Sequence, residues 1–426
     1  MAALVRSIGR WELVAVTINA VIGAGIFGLP SRVFNLIGPW SLLAFVVCAF
    51  FASLIVLCFA EVGSRFSDTG GPYLYLREAF SPVIGFEAGF LMWIARVAAF
   101  AANCNLLVQY AAYFWPALAD TAGRALLITV ITLALTAINI RGVRTAANVS
   151  NIFAAGKLIP LILFVGAGIF FLEPARFHLG VPPPLGSFSS AVLLLVYAFT
   201  GFEMAVVPSG EVKDVQRVLP FAILTAIALI ATIYILIQIV CVGTLPQLAS
   251  SQRPIADAGA HFLGPYGAAL ISAGIIVSIL GNLNIVLLSA ARLPYAMGLR
   301  GDLPRFFGRT HPEFRTPHFS TLFTGAVVLI VTLSGSFIYG VTVSTLARLL
   351  IYGGTCAALP VLRTRRNAPA RTFAVPAGTL VAVLAIALSL WLLANSSMRE
   401  AGHTAIAATI GLAAYLFSTR ANAVRS

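Results

Sequence analysis

Four ionisable side chains lie inside long apolar runs of the sequence: Arg96, Lys157, Glu203 and Arg348. Such a group is costly to desolvate and is a functional candidate by default. A buried ammonium or carboxyl group can load and release a proton, and a guanidinium can pair with a carboxylate. Lys157 is one of only two lysines in the chain. Glu12 and Glu87 lie near the ends of their runs and are expected to reach water. The five histidines (His178, His261, His311, His318, His403) are expected in loops. With no histidine and no paired carboxylates on one helix face, a membrane-embedded hydrolase is remote.

Two stretches must position these groups. Thr17–Pro30 reads TINAVIGAGIFGLP, with Gly23, Gly25, Gly28 and Pro30 close together in an apolar run. In a helix interior Gly costs about 1 kcal/mol and Pro about 3. Small residues can serve close helix packing. They can also mark an unwound stretch, tolerated in a membrane only where protein or water satisfies the backbone. A half-helix beginning there would present free N–H groups to an anion. Tyr197–Gly210 reads YAFTGFEMAVVPSG and has a similar interruption, with Glu203 inside it.

The rest of the chain sets the environment. Of 426 residues, 60% are hydrophobic and 10% charged, and the mean hydropathy is +0.97. Soluble domains carry about 25% charged residues. A soluble enzyme, a nucleic-acid-binding protein and a disordered chain are therefore excluded. Twelve apolar runs lie near 13–36, 40–62, 82–115, 124–140, 148–172, 187–209, 218–243, 264–298, 319–334, 340–362, 374–393 and 401–418. A spanning helix needs about 20 such residues. The first run is too long for a signal peptide and reads as a retained helix.

With the N-terminus inside, 19 Lys and Arg fall on the inner side and 5 on the outer. The positive-inside rule then places both termini in the cytoplasm and the chain in the cell membrane. It also explains the net charge of +13 without a nucleic-acid partner. The five cysteines (Cys48, Cys58, Cys104, Cys241, Cys356) all fall within apolar runs and read as small buried hydrophobes. No nucleotide-binding motif, cofactor motif or metal framework is visible. Movement of a solute would be driven by a gradient or by exchange.

The two interrupted runs are five apart. That spacing suggests inverted repeats over 11–172 and 187–362, followed by a pair of helices over 374–418. GAGIFGLP (23–30), AEVGSRFSDTGGPYLYLREAF (60–80), AFTGFEMAVVPSGEVKDVQRVLP (198–220) and ARLPYAMGLRGDLP (291–304) resemble, in register, the amino acid–polyamine–organocation (APC) transporters. One departure is Arg300, where that family usually has Asp.

The resemblance implies an all-α integral membrane protein of twelve transmembrane helices. Its fold would be the LeuT-type 5+5 inverted repeat, helices 1 and 6 unwound, with two extra C-terminal helices. It implies secondary transport of amino acids by alternating access, coupled to protons or to exchange. Backbone N–H groups at Ala24, Gly25 and Ile26 would hold the substrate α-carboxylate. Carbonyls at Val21, Phe199 and Thr200 would hold its ammonium. Tyr197 would be an aromatic gate or a packing tyrosine. Lys157 would stand where sodium-coupled relatives bind the ion, with Ser289 as partner, and would carry a proton or act as a fixed tether. Glu203 would be a titrating group or an anchor for the unwound backbone. Arg96 would lie beside the side-chain pocket, disfavour arginine, lysine and polyamines and suit a neutral or acidic amino acid, or else pair with Glu203 or a helix end. Arg348 has no evident partner. The alternatives are a polyamine or organic amine carrier and an amino-acid-binding receptor that does not transport.

Overall fold

The computed structural model describes the backbone of residues 9–66, 70–141, 146–206, 212–396 and 398–423. Residues 67–69 and 207–211 of the quoted motifs lie outside the described residues, as do Arg6, Arg144 and Arg425 of the inner-side set.

The first apolar run forms two helices, α1 (Arg10–Val21) and α2 (Ala24–Ile37), with Ile22 and Gly23 extended between them. Then come α3 (Ser41–Gly63), the short α4 (Pro72–Ala79), α5 (Pro82–Ala111), α6 (Thr121–Arg141) and α7 (Ala146–Gly168). Ser81 caps α5 by accepting a hydrogen bond from the Ile84 N–H, and Pro82 suits the first turn. The sixth run is also divided, into α8 (Leu185–Ala198) and α9 (Glu203–Val206). Gly201 in that gap has φ 112°, and an added Cβ would lie 2.5 Å from the Ala20 carbonyl oxygen. Only glycine fits both constraints. The chain continues through α10 (Val215–Thr244), α11 (Pro254–Leu299), α12 (His318–Ser334), α13 (Phe337–Thr364), α14 (Gly378–Ala394) and α15 (Met398–Ala423). α11 turns sharply at Gly264, φ 68°, just before Pro265.

Against twelve expected runs, six helical segments among the described residues are long and apolar enough to cross a membrane, and five shorter apolar stretches of 10–17 residues accompany them. The gaps after Val21 and Ala198 shorten the first and sixth runs, and the 3-10 turn Gly38–Trp40 joins the rest of the first run to the second in one 40-residue segment.

α5 is the central helix, packed against α13, α11, α4, α12 and α15. α2 lies against α8, and α1 against α9. Each fragment of the first divided helix thus meets a fragment of the second. Leu126, Val130 and Leu133 leave an apolar outer face on α6.

Two expectations about polar side chains are corrected. His261 and His318 lie within helices α11 and α12 rather than in loops, close to the Gly264 turn and to the helix start. His403 also lies within a helix, α15, although its side chain lies outside the described residues. Glu87 does not reach water: α15 covers it at Gly411, and both carboxylate oxygens are buried with no hydrogen-bond partner among the described residues. Glu12 is exposed and accepts from the Gly9 N–H at 2.7 Å.

Candidate functional site

The two gaps in the helices border a common cavity. Its volume is about 20 Å³, room for a water or two. Val21, Gly23, Ala24 and Gly25 line it from the first gap, and Tyr197, Thr200 and Gly201 from the second. Ala99 and Asn103 of α5, Asn282 and Val286 of α11, and Arg348 of α13 complete much of the wall.

Asn103 organises this wall. Its Oδ1 accepts from the Ala24 N–H at 2.9 Å, at the start of α2. Its amide nitrogen donates to the Tyr197 hydroxyl at 2.9 Å and to the Ala99 carbonyl at 2.7 Å. Tyr197 in turn donates to the Ala99 carbonyl at 3.3 Å. Gly23 lies between two amides: a Cβ there would sit 3.3 Å from Asn103 Oδ1 and 3.4 Å from the Asn282 amide. Gly25 is tighter still, since a Cβ would meet Ala198 Cα at 2.6 Å. The start of α2 and the end of α8 therefore touch backbone to backbone.

The other expected backbone positions are distributed unevenly. Thr200 lines the cavity and turns its hydroxyl back to the Tyr197 carbonyl at 2.8 Å. Val21 lines it too, and its carbonyl accepts from the Tyr234 hydroxyl at 3.4 Å. Ile26 and Phe199 are buried outside the lining, and the Phe199 ring packs edge-on to Tyr234.

The ionisable groups form pairs that sequence reading did not supply. Glu203 is fully buried and accepts from Arg348 Nε at 3.0 Å, from the Tyr352 hydroxyl at 2.8 Å and from the Gly201 N–H at 2.8 Å. Arg348, expected without a partner, also donates to Ser344. One carboxylate thus ties α13 to the gap between α8 and α9.

Lys157 donates to the Asn19 and Ile22 carbonyls at 3.0 and 3.1 Å. These lie at the C-terminal end of α1, where a cation is favoured by free carbonyls and the helix dipole. The expected pairing with Ser289 is not formed. The Ser289 hydroxyl donates to the Val286 carbonyl, and its own carbonyl accepts from Arg96 Nη1 at 2.8 Å. Arg96 lies outside the cavity lining and makes no hydrogen bond to Glu203.

Sequence reading passed over Asn103, Asn282 and Arg348 as wall residues. The available signal was the occurrence of amides in apolar runs whose faces meet the glycine-rich stretch.

A second polar cluster sits at the C-terminal end of α3. Glu61 accepts from Arg363 Nε and Nη2 at 2.7 and 2.6 Å, from the Val375 N–H at 2.8 Å and from Arg371 at 3.3 Å. It fastens α3 to the end of α13 and to the segment before α14.

The amino acid permease family matches residues 8–415. The chain belongs to that family, within the APC superfamily. The permease is accordingly a multi-pass membrane protein. It is 28% identical over 424 residues to a serine/threonine exchanger of Bacillus subtilis, covering 96% of this chain and 95% of the relative. It is 27% identical over 405 residues to the b(0,+)-type amino acid transporter 1 of Mus musculus, covering 92% and 82%. It is also 26% identical over 411 residues to a methylthioribose transporter of Bacillus subtilis, covering 91% and 88%.

Proposed function

We propose that the permease is a secondary transporter that carries amino acids across the cell membrane by alternating access at the cavity between α1/α2 and α8/α9. The observation that carries this reading is the opening of α2 on the cavity at Gly23, Ala24 and Gly25, facing Tyr197 and Thr200. A helix start of this kind offers N–H groups and a positive dipole end to a carboxylate. The names of the serine/threonine exchanger and the b(0,+)-type transporter support an amino acid cargo.

On this reading the α-carboxylate sits against Ala24, Gly25 and Ile26, and the α-ammonium faces the carbonyls of Val21, Phe199 and Thr200. Asn103 now occupies the Ala24 N–H, so it must share or surrender that bond when a carboxylate arrives. A cavity with room for a water or two is too small for an amino acid. Entry requires α2 and α8 to part where Gly25 meets Ala198. The proposed repeats over 11–172 and 187–362 would rock against each other there, with 374–418 outside the repeat, twelve spans and both termini in the cytoplasm.

Lys157 is assigned to coupling. Charged, it holds the Asn19 and Ile22 carbonyls; without its proton it would hold them less strongly and free the end of α1 to move. Transport would then follow a proton gradient or run as exchange. A polyamine carrier fits less well, because the cavity wall presents the guanidinium of Arg348.

The test is radiolabelled uptake into proteoliposomes. Alanine, serine, leucine, glutamate, arginine and putrescine would each be offered, with and without an inward proton gradient and with and without internal amino acid. Uptake of an amino acid above empty liposomes supports the reading. Uptake of putrescine alone would replace it with the amine carrier. Binding with no transport in any condition would replace it with a receptor.

A further inference from the structure

We infer that the permease selects amino acids whose side chain bears a carboxylate. This rests on the amino acid reading above and names the substrate class of the same site. Among the described residues of the cavity wall, Arg348 is the one charged side chain. Its Nε and Nη1 are committed to Glu203 and Ser344, while Nη2 has no partner among the described residues. The wall thus offers one unoccupied, charged donor.

A second guanidinium stands behind the first. Arg96 is three residues before Ala99 and seven before Asn103, on the same face of α5 as these two wall residues. Its Nη1 is anchored on Ser289, three residues past the wall residue Val286 on α11. Its Nε and Nη2 are buried and have no hydrogen-bond partner among the described residues. Ser344 donates to the Ala95 carbonyl and accepts from Arg348, so it bridges the turn bearing Arg96 to the wall arginine.

The charge balance points the same way. The turn bearing Arg96 is joined through Ser344 to Arg348, and Arg348 is paired with Glu203. Two guanidiniums and one carboxylate thus share this region, and that carboxylate already accepts three hydrogen bonds. An uncompensated buried charge is costly, and an anion brought into the site offsets it. A zwitterion with a neutral side chain brings no net charge. A side-chain carboxylate brings one negative charge, and its two oxygens suit the free edges of guanidinium groups. Arg348 would receive it in the cavity. Arg96, one turn further along α5, would receive it as the substrate leaves.

The experiment is competition against the best labelled amino acid in proteoliposomes of the full chain. Unlabelled aspartate and glutamate are compared with asparagine and glutamine, which match them in shape. The acids are expected to compete about tenfold better than the amides or more, the margin of a charge-assisted over a neutral hydrogen bond. Arg96→Gln is expected to narrow that ratio while asparagine and glutamine still compete. Arg96→Lys is expected to keep most of it. Amides that compete as well as the acids, with uptake intact, would overturn the acidic class and leave the amino acid reading standing. No uptake or competition by any amino acid would overturn both. The wild-type comparison decides the matter even where a variant fails to fold.

Discussion

Glu203 and Arg348 form a buried ion pair across 145 residues of sequence, Oε1 to Nε 3.0 Å, and the same carboxylate holds the Gly201 N–H in the helix gap. Both side chains are within 5% of complete burial. Removing one partner of such a pair leaves an unpaired buried charge and costs about 3–5 kcal/mol. Glu203→Gln and Arg348→Met are each expected to lower the melting temperature in detergent sharply. The double variant is expected to recover much of the loss, because it removes both charges. A double-mutant cycle on unfolding midpoints measures this coupling. Additive losses would mean that the two groups act independently.

Lys157 makes two hydrogen bonds, both to carbonyls at the end of α1. Lys157→Ala leaves those carbonyls without their cation. Uptake driven by an inward proton gradient is expected to fall to the level of empty liposomes, while counterflow between preloaded vesicles persists at a reduced rate. Full gradient-driven uptake by Lys157→Ala would eliminate the proton role. Loss of counterflow together with a lowered melting temperature would point to a fixed tether.

The class of the protein was legible in the sequence for a simple reason. Run lengths near the bilayer thickness and a low charge content admit few alternatives. Gly23, Gly25 and Gly201 were also visible, as residues that disfavour a helix within apolar runs. Their individual reasons were not. Gly25 is required by the backbone of Ala198 and Gly201 by the Ala20 carbonyl, neighbours brought close only by the fold. The partner of Arg348 was hidden in the same way. Glu203 lies on another helix, and no local spacing relates the two. Asn103 was missed because α5 also carries Asn105 and Gln109, and nothing in the local sequence says which of the three amides meets the gaps in the other helices. Ser289 was misjudged because its backbone carbonyl is what binds Arg96, and a sequence motif reports side chains.

Gly25→Ala tests the seam between α2 and α8. The added methyl would approach Ala198 Cα to 2.6 Å and its Cβ to 2.9 Å. Overpacking of this kind costs about 1–3 kcal/mol, and here it would also hold the two half-helices apart. Transport is expected to fall at least about tenfold, a factor corresponding to 1.4 kcal/mol. Ala198→Gly in the same chain removes the clash with the Ala198 methyl but not the clash with its backbone, so only partial rescue is expected. Wild-type rates of uptake in Gly25→Ala would show that the close approach is not needed in the working cycle.

Glu61 offers a contrast within one cluster. Its buried carboxylate is shared by Arg363, with a side chain 21% exposed, and by Arg371, 42% exposed. The short bidentate bonds to Arg363 and the bond from Val375 give it fixed geometry in partial burial. Arg371 is reached at 3.3 Å by a more solvated side chain and resembles a surface pair. Such pairs contribute about 0–1 kcal/mol and weaken with salt. Arg371→Gln is therefore expected to shift the melting temperature little, and its effect should vanish at high salt. Glu61→Gln leaves Arg363, and Arg65 whose Nη2 lies 3.8 Å from Glu61 Oε1, beside a neutral amide, and is expected to cost several times as much and to persist in salt. Thermal unfolding of the three proteins at low and high salt provides the measurement. Equal shifts for Glu61→Gln and Arg371→Gln would mean that the cluster is a solvated surface network. A large and salt-resistant difference would identify Glu61 as the fastening of α3 to α13.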